Sequence, residues 1–209
     1  MTHQLQPSAP PSTNACSRQR GGWHSRLWRF WHDRRAVAAV EFALLLPCML
    51  ILYIGGNEVG QSIAIYRKVA QVAYTLGDLV TQEPATMPYA DLTNIFAAAS
   101  TVMLPYNVSG AKIVVSGVTF NGTSYKVAWS EAQNGTAWSI GSAPPATVTI
   151  PTTLVTNGQQ LVVAVVTYTY TSAFTSVMTN IWGSNSITLG DTVYLRPRLA
   201  NTITCSGCP

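Results

Sequence analysis

Residues Ala36 to Gly56 read AVAAVEFALLLPCMLILYIGG, an apolar run of 21 residues broken by one charge, Glu41. At about 1.5 Å of rise per residue, a helix of this length matches the thickness of a bilayer core, so residues 37–56 are expected to span a membrane. A lone carboxylate a turn and a half inside the run is costly to desolvate and points to a specific positive partner. Pro47 removes one backbone hydrogen bond and crowds the carbonyl of Ala43, which predicts a kink. Both a curve that suits packing in an assembly and an ordinary membrane-helix proline fit it. Cys48 reads as a small apolar residue.

Asp33-Arg34-Arg35 stands directly before the run, so the junction reads basic pair, small residue, four apolar residues, Glu. This layout resembles the class III leader of type IV prepilins, which is cut after a small residue, usually Gly. The resemblance implies cleavage between Ala36 and Val37, with Ala36 in the place of Gly and Glu41 as the fifth mature residue. The new α-amine of Val37 and the Glu41 carboxylate of a neighbouring subunit would pair in a low dielectric, where attraction far exceeds that on a wet surface. The other reading of the same charge is that Glu41 reaches the headgroup layer and meets Arg34 or Arg35.

Ala39-Val40-Glu41-Phe42-Ala43-Leu44, followed by Pro47, resembles the TadE-like (TadE/TadG) pseudopilins of tight-adherence pilus systems, and the resemblance extends from Arg34 to about Gln82. Thr167 to Phe174 and Arg196-Pro197-Arg198 resemble that family's tail. The resemblance implies a non-catalytic minor pseudopilin in the inner membrane, serving pilus assembly and adhesion. Its implied partners are membrane lipid, prepilin peptidase, other pseudopilins and pilus assembly components, with no cofactor. The competing expectation is a single-span module whose soluble domain binds a cell-wall or extracellular ligand.

Charge distribution agrees with a membrane topology. The net charge is +4, but six of the 12 Lys and Arg residues (Arg18, Arg20, Arg26, Arg29, Arg34, Arg35) precede Ala36, whereas from Val37 onward acids exceed bases by one. A basic cluster beside the first span, Arg34 and Arg35 foremost, holds the N-terminus in the cytoplasm and sends the remainder to the periplasm or beyond. Trp23, Trp28, Phe30 and Trp31 among those arginines suit a membrane interface as well as a nucleic-acid stack, and with the basic excess confined to the leader no nucleic-acid partner is expected. Only 10% of residues are charged, against about 25% in typical soluble domains. Residues 1–36 form the basic leader, and its first part, rich in Pro, Ser, Thr and Gln, is expected to be disordered.

An α+β architecture follows from the rest: a long N-terminal helix, then a mostly antiparallel β-rich domain. Over 57–83, Val59, Ile63, Tyr66, Ala70, Ala73, Gly77 and Val80 recur at spacings of four and three, predicting an amphipathic helix whose seam packs on the chain's own domain or on neighbouring subunits. Residues 84–110 read as a linker from Glu83 to Tyr89 and a short helix capped by Asp91, with Leu92, Ile95, Phe96, Ala99, Val102 and Met103 on one face. From 111 to 204, β-branched runs separated by Asn121-Gly122, Asn134-Gly135 and Asn157-Gly158 predict strands near 112–120, 123–131, 136–140, 146–155, 160–172 and 187–195, the first turn being type I′. Leu161 to Val166 (LVVAVV) reads as a strand buried on both faces.

His3, His24 and His32 all precede the expected cut, so His-dependent nucleophilic mechanisms and His-containing zinc sites are not expected beyond it. Nothing around Glu131 and Asp191 marks them as an acid and a nucleophile, so no catalytic residue and no metal site is assigned. Cys205-Ser206-Gly207-Cys208 begins a tail at 205–209. In an oxidising compartment it most simply closes a disulfide; a redox pair, a metal site and free thiols are the alternatives.

Overall fold

The computed structural model describes residues 34–154, 156–172, 179–180, 183–184 and 186–208. The chain divides after Leu52 into two units. In the first, the described residues belong to α1 (Arg34–Thr81), and every side chain from Val37 to Leu52 is exposed. Among the described residues this is the one helix long and apolar enough to cross a membrane, and it lies near the N-terminus, as a single-pass anchor would. The helix continues through Pro47. The disorder expected of the leader lies outside the described residues.

The span and the amphipathic segment, expected as 37–56 and 57–83, are thus one helix. It ends at Thr81, where Gln82 and Glu83 donate backbone hydrogen bonds to the carbonyls of Leu79 and Val80.

The second unit is α+β. After α1 come β1 (Thr86–Pro88), α2 (Tyr89–Val102), β2 (Ala111–Phe120), β3 (Tyr125–Gln133), β4 (Gln160–Thr171), β5 (Ser186–Leu195) and β6 (Thr204–Ser206). The main sheet is antiparallel throughout in the order β3-β2-β4-β5, while β1 and β6 pair in parallel. The segment expected as a linker therefore holds a strand, and the tail is its partner, with Met87 opposite Cys205.

β4 is interior to the sheet and buried on both faces, as its sequence predicts. Val162, Ala164 and Val166 join the main core with α1 and α2, whereas Leu161 and Val163 face the other way. That second face is covered by Trp138, Val148, Ile150 and Leu154. These residues come from the stretch expected to form strands at 136–140 and 146–155, whose described residues are instead irregular apart from a short turn of helix at Thr152–Leu154. Pro144, Pro145 and Pro151 withhold the donors a ladder requires, and the segment serves as a cover.

Two local expectations are corrected. Asp91 lies inside the first turn of α2; the capping position is Pro88, and no side chain caps it. The β2–β3 connection spans 121–124 and takes a positive φ at Gly122 (87°) but not at Asn121, whereas a type I′ turn needs both. The Asn121 side chain instead accepts from the backbone N–H groups of Thr123 and Ser124 at 3.1 and 2.8 Å.

The face that the first turns of α1 bury in the second unit is also displaced. Glu58, Ile65, Val69, Val72, Leu76 and Val80 are buried with Ala73, while Val59, Ile63 and Tyr66 are exposed. Over its first turns the buried row, 58-62-65-69-72-76, lies one residue, about 100°, from the expected seam, whereas the end of that seam, Ala73, Gly77 and Val80, is buried as expected. Glu58 and Ser62 are polar, so apolarity alone favoured their neighbours.

Candidate functional site

The buried row of α1 begins with a carboxylate. Glu58 is 2% exposed, two residues beyond the end of the apolar run. The Thr-Tyr alternation at the end of β4 places Tyr168 and Tyr170 on the face that meets the helical layer, and Tyr170 pairs across the sheet with Ile187 of β5. The Tyr170 hydroxyl donates to Glu58 Oε2 at 2.8 Å and has Gln61 Oε1 as a second acceptor at 3.2 Å. Burial first, and then the bond to Glu58, push the Tyr170 phenol up to about 12. Glu58 Oε1 is buried without a hydrogen-bond partner, and the ion pair found among the described residues is elsewhere, between Arg198 and Asp78.

Above this carboxylate lies a cleft of about 550 Å³. Glu58, Val59, Ile63 and Tyr66 of α1 form one wall, and Ile187 and Leu189 of β5, an edge strand, form the other. An apolar cleft with a desolvated, half-satisfied carboxylate is suited to a cationic group carried on an apolar surface.

None of the sequence-derived site residues lines this cleft. Val37 and Glu41 are exposed on α1 and share a face one turn apart, with Ala36, Arg34 and Arg35 in the preceding turn. Cys205, in β6, is bonded to Cys208, two residues beyond the end of that strand, with Cα atoms 5.6 Å apart. Glu131 lies on β3 and Asp191 on β5, strands three spacings, about 14 Å, apart with β2 and β4 between them. Among the described residues no three His, Cys, Asp or Glu side chains are grouped as a metal would require; the three histidines lie outside those residues.

Glu58 was missed because its neighbours outweighed it. The signal that would have found it is an acid falling on the same helical row as Ile65, Val69, Val72 and Leu76. No family model, no curated protein and no solved structure matches the chain.

Proposed function

We propose that this chain is a non-catalytic, TadE-like minor pseudopilin, anchored by α1 in the inner membrane with its N-terminus cytoplasmic and its second unit in the periplasm or outside. In this reading prepilin peptidase cuts between Ala36 and Val37. The new amine of one subunit pairs with Glu41 of the next, fixing their axial register within a pilus or its assembly base. The observation that carries the reading is the arrangement on α1: an unpartnered apolar stretch, exposed from Val37 to Leu52, with its one carboxylate a turn above Val37 and two arginines immediately before it.

The pairing is tested with Glu41→Ala in cells that make the pilus. Membrane insertion should be retained while incorporation into pili or pseudopilin complexes is lost; wild-type incorporation would remove the pairing from the account. The Glu58 cleft favours a second reading, a tethered binding module, and that is the reading left standing if Glu41 proves dispensable.

A further inference from the structure

The two edges of the main sheet are treated differently. On β3, Val127 donates its N–H to the Ser142 carbonyl at 2.9 Å and accepts from the Gly141 N–H at 2.8 Å, so the loop after β3 covers that edge. On β5 no backbone–backbone bond outside its ladder with β4 is made among the described residues. Ser186 and Thr192 turn their N–H groups to side-chain oxygens of Ser184 and Asp191, so the even-numbered residues of β5 face away from β4. By the same alternation Thr188 and Gly190 present N–H and C=O at an open edge. Beside this edge lies the Glu58 cleft. Ile187 and Leu189 form its β5 wall, while Val59 and Ile63 of α1 stay 53% and 50% exposed, and Glu58 holds a buried Oε1 with no donor.

We propose that β5 accepts a further strand from another polypeptide, an extended segment with apolar residues at alternate positions and one Lys or Arg that pairs with Glu58. Backbone groups at Thr188 and Gly190 supply the main-chain bonds, and the alternate side chains that turn to the inner face enter the cleft. There the apolar ones cover Val59 and Ile63. A residue placed opposite Ile187 shares its face and lies two strand spacings, about 10 Å, from Tyr170, which a long cationic side chain spans toward Glu58. Its donors satisfy Oε1 while Tyr170 keeps Oε2, and its charge offsets the cost of a dry carboxylate without a cation. A second copy of this chain offers no such segment. Among the described strands the cations are Lys112, in the interior strand β2, and Lys126, in the covered edge β3.

The proposal rests on the cleft being a binding site and invokes neither cleavage after Ala36 nor Glu41. The full-length chain in neutral detergent is offered a library of heptapeptides with apolar residues at alternate positions and Lys, Arg, Glu or norleucine at the centre. Lys and Arg members should bind saturably, at least about tenfold more tightly than the others, and the shape-conserving Glu58→Gln should abolish that preference. Thr188→Pro removes an outward N–H that the fold does not use, so it should leave thermal unfolding unchanged and weaken peptide binding at least about tenfold. Bound peptide should also slow hydrogen exchange at the Thr188 and Gly190 amides. The proposal is overturned if no Lys or Arg member binds, if the Glu members bind as well, or if Thr188→Pro and the two amides are indifferent to peptide. Binding that needs Glu58 but not Thr188 would leave a cation site without a strand, as a lipid ammonium would use, whereas binding indifferent to Glu58 would remove the site as well.

Discussion

The hydroxyl of Tyr170, near the end of β4, donates to the carboxylate of Glu58 in α1 at 2.8 Å, joining residues 112 positions apart in sequence. This bond ties the sheet to the part of α1 that directly follows the apolar run. Tyr170→Phe removes the donor and leaves both Glu58 oxygens without one, so at neutral pH it should destabilise the second unit by about 1–3 kcal/mol.

The same bond predicts a pH dependence. An unfolded tyrosine gives up its proton near pH 10, whereas Tyr170 in the folded chain holds its proton to about 12. Between these values the folded state binds more protons, so stability from this group is complete below pH 10 and is lost as pH rises through 12. Thermal unfolding of the detergent-dispersed chain should therefore fall more steeply from pH 10 to 12 for the wild type than for Tyr170→Phe. Parallel curves would contradict the assignment.

Gly117 has no room for a side chain. An added Cβ would run into the Trp129 indole nitrogen and approach the Gln160 amide nitrogen within 2.7 Å. Those two groups donate to the Ile203 carbonyl at 2.7 and 3.1 Å, which pins the C-terminal segment against the sheet. Gly117→Ala should cost about 1–3 kcal/mol and expose the tail to proteolysis before the rest of the unit; a tail that stays protected would argue against this coupling.

The rotated face of α1 separates two substitutions that the sequence periodicity alone would rank the other way. Leu76→Ala, at a fully buried position, should cost about 2–5 kcal/mol. Ile63→Thr, at a half-exposed position on the cleft wall, should stay within about 0.5 kcal/mol in the monomer. Chemical denaturation of the two variants decides it.

What could be read in advance divides along physical lines. Ala36 to Gly56 was legible as part of a helix long and apolar enough to cross a membrane because length and apolarity alone set that, and LVVAVV because a short apolar run between strands has few other fates. The 136–155 stretch was misread because its β-branched residues cover a sheet instead of joining one, and only the second buried face of β4 creates that need. On α1 the end of the seam, Ala73, Gly77 and Val80, was legible from periodicity, but its first turns were placed one residue off because they bury Glu58, whose partner Tyr170 no local pattern encodes. The Asn-Gly dipeptide gave the β2–β3 connection its place but not its turn type, since the Asn121 side chain competes for the backbone donors. Cys205-x-x-Cys208 announced its bond, whereas the parallel pairing of β6 with β1 joins segments far apart in sequence.

The central claim is that Glu41 is positioned to meet a terminal amine made by cleavage after Ala36. Its most direct test is N-terminal sequencing of the protein extracted from membranes of cells that carry the cognate peptidase. The account predicts Val37 as the first residue; a chain that still begins with residues from before Ala36 would contradict it.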